Sequence, residues 1–533
     1  MAAGAGMHDV VVVGSGAAGL ATAIAARAHG LTSIVLEKAP LVGGGTAISS
    51  GYLWVGGNHL NPDPAGDSAE DVLAYLRHVG ADGIDEARMQ AFAATAPQAL
   101  RFFEAQGIPF RITGRLDHYH GVAPCAKSGG RIVETPAIDV ASLGAWRDRL
   151  AVPAGVLYRL SGSELGAHGG PNAEAAWQAA EARARAEPWR RGGGAGLVGW
   201  LLQKALGLGV AFETGTAAAR LRRRDGRVDA VISADGREFP AGSAVVLASG
   251  GYESSDALVR NFEALPGWQS MFPETLTGDG LVMAAELGAL VRIIPNNLSI
   301  FLGLRNPEEA PGGVATCRLS ANQELVARHT MVVNREGRRF VDETFFQAVA
   351  PSLRHFDVRQ RRHANLPCFL VFDSQYAAAN SFAGRPPGAA IPDWVARADT
   401  PQVLAGLLGI DPAGLAGSLD RFNADVRAGR DRAFRRGETP WGLTRIDPSV
   451  TLGTIEVPPF RAIELHPTAL SSAGLAADAA ARVLDVRGRV MPGLFAVGNA
   501  AARTETGSGY QTGYSLASAL TFGLIAARGI AAG

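Results

Sequence analysis

The residues with the clearest chemistry are three glycines and one acid. Gly14, Gly16 and Gly19 stand at G-x-G-x-x-G spacing within DVVVVGSGAAGLATAIAARAHGLTSIVLEK, residues 9–38, and Glu37 follows at about the 20-residue interval such motifs use. Gly14 permits a tight turn, Gly16 lets a pyrophosphate approach the backbone, and Gly19 lets a helix pack close to a strand. Glu37 can accept hydrogen bonds from a ribose 2′-OH. The spacing gains its meaning from the elements that must position it. Val10 to Val13 read as a buried parallel strand, Leu20 to about Ala28 as an Ala-rich helix, and Ser33 to Leu36 as a second strand ending at Glu37. The N-terminus of that helix would aim free N–H groups and a positive dipole end at the phosphate. Strand, glycines, helix, strand and acid in this order predict a dinucleotide site.

The remaining elements frame this site. A second glycine cluster, GGGTAISSG at 43–51, lies where the chain returns towards the nucleotide. Residues 68–107 read as helices, 111–145 as polar and irregular with a His118-Tyr119-His120 cluster, and helical patterning returns at 172–187 and 195–207. Alternating strands follow, with Asp-Gly turns at 225–226 and 235–236, and Ala244 to Ala248 form a buried strand running into Ser249-Gly250-Gly251. From about 275 the style changes to a mixed segment holding VVNREGRRFVDE (332–343) and a strand at 368–373, which reads as an inserted α+β domain. Near 455 the glycine-rich style returns. The expected division is a first cofactor-domain part at 1–275, a capping domain at 276–445 and a second cofactor-domain part at 446–533.

Length allows two or three domains with sizeable cores. The formal net charge of +0 and the lack of a long basic block argue against nucleic acid. Cys125, Cys317 and Cys368 are odd in number and widely spaced, so neither a disulfide framework nor a metal site is expected. Residues 1–8 lack a signal-peptide pattern, and the apolar segment 515–530 reads as a buried helix rather than a membrane span, so a cytoplasmic protein is expected.

VVVGSGAAGL, GGGTAISSGYLWV, VVLASGGYE and GLFAVGNA, in this order and followed by a final helix, resemble the fumarate reductase and 3-ketosteroid dehydrogenase superfamily of flavoproteins. The resemblance implies an α/β fold: a discontinuous Rossmann-like FAD-binding domain with an inserted substrate-capping domain. It implies non-covalent FAD, since no histidine stands where covalently flavinylated members carry theirs. It places Gly14, Gly16, Ala17, Ala18, Gly19, Glu37 and Lys38 at the nucleotide. Gly44, Gly45, Thr46, Ser49, Ser50 and Gly51 would line the pyrophosphate and ring, with Ser249, Gly250, Gly498 and Asn499 beside them. Ser515 and Leu516 would bring the N-terminus of the final helix to the ring, where its positive end stabilises reduced flavin.

DHYHGVAPCAKSGGRIVETPAIDVASLG (117–144) and GYQTGYSLASALTFG (509–523) are similar to the ketosteroid dehydrogenase branch. The implied reaction is desaturation of a cyclic ketone, a steroid or a smaller cyclohexanone type: a base takes the proton next to the carbonyl and a hydride goes to flavin N5. Tyr510 O–H and Gly513 N–H match the two donors to the ketone oxygen. The branch's basic tyrosine is missing, because Phe345, Phe346 and Gln347 occupy that region. Tyr119 is the first substitute, with His118 and His120 as possible proton relays, and Tyr514 and Tyr252 are alternatives. The electron acceptor stays open among quinone, dye and oxygen. A fumarate reductase-like alternative lacks two expected arginines, at Tyr514 and Gln347, leaving Arg354 and Arg503 as substitutes. A flavin-binding sensor is the non-enzymatic alternative. His466 reads as structural, Cys125 as a small buried thiol, and Asp342 and Glu343 as partners of Arg338 or Arg339.

Overall fold

The computed structural model describes residues 6–307 and 319–533, so Cys317 lies outside the described residues. The valine run at the start forms strand His8–Val13, which pairs in parallel with Ser33–Glu37 on one side and with Glu238–Leu247 on the other. Ala211–Thr214 and Val490–Ala496 extend the sheet in parallel, and Arg482–Leu484 adds an antiparallel edge. Val10 and Val12 face one apolar cluster and Val11 and Val13 another. A parallel sheet covered on both faces needs such an unbroken apolar run.

On one face lie the first helix, Ala17–Ala28, and the terminal helix, Tyr514–Ala531. They approach so closely that a Cβ on Gly523 would stand 3.1 Å from the Ala21 Cβ. The terminal helix is long and apolar enough to cross a membrane by length and composition, yet 67% of it is buried inside this fold. The ribbon Ala218–Arg224 and Arg227–Ser233 turns through Asp225 and Gly226 at φ +50° and +81°, as a two-residue hairpin requires.

A second, antiparallel sheet orders Ile300–Leu304, Phe460–Ala469, Cys368–Phe372 and Thr330–Asn334, with Ala396–Ala398 also on the long strand. Helix Phe346–Leu353 packs on one side and helices Pro401–Leu408 and Pro412–Arg427 on the other. The strand that follows the expected boundary at 445 pairs within this second sheet. Phe460–Ala469 belongs by hydrogen bonding to the second sheet, and the chain rejoins the first only beyond it. Sequence style changes at 455 because the flanking loops turn glycine-rich, whereas strand pairing is decided across the sheet.

Candidate active site

The nucleotide cradle is built from steric necessities. Gly14 has φ +105°, and a Cβ there would meet the Ala248 carbonyl oxygen at 2.5 Å. At Gly19 a Cβ would stand 1.9 Å from the Gly14 oxygen, so the first helix can sit on its strand only without a side chain there. Gly16 caps that helix without a side-chain acceptor, and the Thr46 hydroxyl takes the Ala17 N–H at 3.0 Å. Both Glu37 oxygens are engaged, one by Ser15 N–H and O–H at 3.0 and 2.5 Å, the other by Ala39 N–H at 2.8 Å. A carboxylate has about four lone-pair sites, which leaves Glu37 capacity for a ribose. Lys38 donates to Thr277 and Asp279 at 2.6 and 2.9 Å.

A continuous cavity runs from Gly14, Gly16, Ala17, Ala18 and Glu37 past Gly44, Gly45, Thr46, Ser49 and Ser50 to the start of the terminal helix. Ser249, Gly250, Gly498, Asn499, Ser515 and Leu516 line it as expected. The Ser249 and Ser515 hydroxyls are buried without a protein partner. Two orphaned hydroxyls facing a glycine cradle fit a large polar cofactor. Gly51 lies outside this lining. Its φ of +76° and the 2.4 Å that a Cβ would have to the Gly193 carbonyl carbon show a glycine required for chain crossing.

At the far end, Phe301, Leu470, Tyr510, Thr512 and Gly513 converge. Gly513 caps the terminal helix at φ +88°, where a Cβ would meet Trp54 N at 2.7 Å. Its carbonyl accepts from Trp54 N–H at 3.0 Å, and its own N–H has no backbone acceptor among the described residues. The Tyr510 ring meets Phe301 edge-on at 5.7 Å. Burial pushes its phenol up, while the nearby Arg503 charge pulls the other way.

Behind Tyr510 lies a polar network. His118 is buried; its Nε2 is 2.8 Å from the Thr512 hydroxyl, and its Nδ1 is 2.8 Å from Gln347 Nε2. Gln347 Nε2 also donates to the Tyr510 carbonyl at 2.6 Å, and Gln347 Oε1 accepts from Tyr119 O–H. Desolvation lowers His118 to about 3, so its ring is neutral. Asp117 holds this loop in place, accepting from Trp54 Nε1 at 2.7 Å, Lys127 N at 2.8 Å and Arg131 Nη1 at 2.8 Å. Arg131 also grips Asp67 at 2.5–3.1 Å.

The tyrosine assignments change accordingly. Tyr119 does not line the cavity; it stands behind Gln347, and burial raises its phenol well above the usual range. Tyr514 points into the core against Phe92 at 4.7 Å, because the first turn of the terminal helix gives its cavity face to Ser515, Leu516 and Ala519. Tyr252 donates to Glu263 at 2.8 Å and accepts from Ala473 N–H at 3.0 Å, a structural clasp. His120 stays with the Asp117 carbonyl at 3.1 Å, off the path from Tyr119. Sequence reading missed Thr512, Phe301, Asp117 and the hub role of Gln347. Thr512 alone had a local signal, lying between the two expected donors.

Other expectations sort plainly. Cys125 is exposed, not buried, at a left-handed turn of φ +56°. Glu343 pairs with Arg339 at 2.8–2.9 Å and with Arg436 at 3.1 Å, whereas Asp342 turns to Thr344. His466 bonds the Gly267 carbonyl at 3.1 Å. Arg354 lies 3.6 Å from Glu263, and Arg503 donates to Asn297 and Ser299 at 3.0 and 2.9 Å.

Comparison with known proteins gives the same direction. The FAD binding domain family model matches residues 9–519. A 4-oxocyclohexanecarboxylate 2-dehydrogenase of Sinomonas cyclohexanicum is 33% identical over 98% of this chain and 93% of its own length. A 3-oxosteroid 1-dehydrogenase of Mycobacterium tuberculosis is 30% identical over 98% of both. The crystal structure of 3-ketosteroid delta1-dehydrogenase from Sterolibacterium denitrificans, in complex with 1,4-androstadiene-3,17-dione, superposes with a TM-score of 0.88 at 26% identity, covering 99% of this chain and 100% of that one.

Proposed function

The chain belongs to the FAD binding domain family, and from that premise we propose that it desaturates a cyclic ketone next to its carbonyl, holding FAD non-covalently. FAD is its cofactor, and it is an oxidoreductase of the CH–CH class. The observation that carries the substrate assignment is the Tyr510 phenol beside the Gly513 N–H at the end of the cavity, where the terminal helix begins. Two donors converging there suit a carbonyl oxygen that gains negative charge as its α-proton leaves.

FAD, when bound, supplies the hydride acceptor. Gly14, Gly16, Ala17 and Ala18 would hold its pyrophosphate, Glu37 its ribose, and Ser249 and Ser515 would give their free hydroxyls to it. The positive end of the terminal helix would face the ring, favouring negative charge on the reduced form. Phe301 and Leu470 would form the apolar wall that keeps water from the reacting carbons. The first sheet is then a discontinuous Rossmann-like domain, and the second sheet, which sends Phe301 into the cavity, is the inserted cap. Tyr119 anchors Gln347 in this scheme rather than taking the proton. The electron acceptor is a quinone, a dye or oxygen.

The two relatives bracket ring size, a cyclohexanone acid on one side and a steroid on the other. We favour the smaller ring, because the more identical of these two relatives acts on it. The test is anaerobic mixing of oxidised holoenzyme with 4-oxocyclohexanecarboxylate and, separately, a 3-ketosteroid, following flavin absorbance. Bleaching by the cyclohexanone acid is expected. Bleaching by the steroid alone would reverse the size assignment, and reoxidation of reduced enzyme by fumarate with no bleaching by either ketone would overturn the desaturase reading.

A further inference from the structure

The second sheet carries a projection that the active site does not use. Between helix Phe346–Leu353 and strand Cys368–Phe372 the chain runs out into a small hairpin, in which Phe356 pairs with His363 and Asp357 with Arg362. Buried Leu353 and Leu366 hold its base. Asp357 fixes its tip, accepting from Arg359 N–H at 2.8 Å and Gln360 N–H at 3.0 Å, and Arg361 completes the turn at φ +55°. The tip is thus a shaped element.

Its chemistry is one-sided. Residues 354–363 hold four arginines and two histidines against one acid, Asp357. Arg359 and Arg361 are exposed, and neither forms an ion pair among the described residues. Arg362 pairs with Glu336 at 3.0 Å, and the turn that carries Glu336 adds exposed Arg335 and Arg338. Beside this charge stand two bare apolar side chains, Phe356 at 47% exposed and Val358 at 73%. The Phe356 ring is braced edge-on by His363 at 5.6 Å. A single exposed apolar residue is ordinary, whereas two of them at one tip, among guanidinium groups, call for a partner that is both anionic and apolar. A second copy of this chain would set arginine against arginine. Nucleic acid would answer the charge, but a branched aliphatic tip has no flat face to stack on bases. A bilayer with anionic headgroups answers both: guanidinium groups meet phosphate, and the apolar tip enters the acyl boundary.

We propose that hairpin 354–363 docks the protein on an anionic lipid surface, with Phe356 and Val358 inserted and Arg359 and Arg361 on the headgroups. The contact is peripheral and reversible, since two apolar side chains bury little area. The helix that ends at the hairpin's base carries Gln347, whose amide holds the Tyr510 carbonyl at 2.6 Å. The helix span from Gln347 to Leu353 is about 9 Å, so docking sets the active-site network close to the membrane. The docking does not depend on the ketone reading. Among the acceptors that reading leaves open, it favours a lipid-soluble quinone, the one that resides in a bilayer.

The test is co-sedimentation of purified holoenzyme with vesicles of phosphatidylcholine alone and of phosphatidylcholine mixed with phosphatidylglycerol. Binding to the mixed vesicles should be about tenfold tighter than to the neutral ones at low salt, and should fade as salt is raised. Arg359→Glu with Arg361→Glu should weaken it about tenfold, and so should Phe356→Ser with Val358→Ser. All four side chains are exposed, so flavin content and melting temperature should match wild type. The matched reversal Arg220→Glu with Arg223→Glu, on the exposed ribbon of the first sheet, should leave binding unchanged. An equal loss there would show an overall charge effect and overturn the assignment to the hairpin. Equal binding to both vesicles, or binding unmoved by the reversal at 359 and 361, would overturn electrostatic docking, and binding unmoved by the serine pair would overturn insertion. No sedimentation with either vesicle would overturn the proposal, and retention on a double-stranded DNA column, lost on the reversal at 359 and 361, would then assign the hairpin to nucleic acid.

Discussion

Tyr510 and Gly513 sit three residues apart yet belong to different environments. One is a phenol in a loop braced from behind by Gln347, the other a backbone N–H fixed by a left-handed cap. Removing the phenol oxygen takes away one of two donors to a charge that grows during reaction. Tyr510→Phe should therefore lower the desaturation rate by about 10²-fold, the scale of losing one oxyanion donor. Flavin content should be unchanged, since Ser249, Ser515 and the glycine cradle are untouched. Stopped-flow bleaching of purified holoenzyme measures the first, and the flavin-to-protein absorbance ratio the second. A rate within twofold of wild type would remove Tyr510 from the chemistry.

At the scale of elements, the loop that carries His118 is held by a buried charge cluster. Arg131, Asp67 and Asp117 are all at most 3% exposed, and the guanidinium lies over Trp54 and Tyr75 at 5.4 and 5.3 Å. Replacing it by a neutral chain of similar length would leave two buried carboxylates without their cation. Arg131→Met should cost about 3–5 kcal/mol of unfolding free energy, read from urea denaturation, with a Tyr510 environment loosened as well. The same elements show what sequence can and cannot disclose. Gly14 and Gly19 were legible because their constraints are local: a turn, and a helix a few residues on. Ser515 and Leu516 were legible because a helix face follows its N-cap. Tyr514, one residue earlier, faces the core instead, since adjacent helical residues point about 100° apart. The Tyr119–Gln347 contact joins residues 228 apart, and no local pattern encodes such a meeting. Asp117 had no signal of its own beyond its place in the motif; its three donors come from Trp54, Lys127 and Arg131.

At the scale of the molecule, the two sheets differ in what holds them. The second depends on Glu343, fully buried; against the burial that would raise it, Arg339 and Arg436 hold its carboxyl down to about 2. A carboxyl depressed on folding contributes stability that is complete above its unfolded value, near 4.5, and is lost as pH falls towards 2. That contribution is on the order of 3 kcal/mol. Unfolding free energy should fall with acid across this window, and the slope should flatten in Glu343→Gln, measured by denaturant titration at stepped pH; equal slopes would show that the pair carries no linkage. The first sheet depends instead on its two ends. Strand Val490–Ala496 and helix Tyr514–Ala531 come last in the sequence, yet they lie beside His8–Val13 and Ala17–Ala28 through Glu238–Leu247 and directly. The nucleotide-binding glycines therefore leave the ribosome before the strand and helix that cover the apolar flank of their own helix, so the cradle can close around a cofactor only after those later segments have emerged.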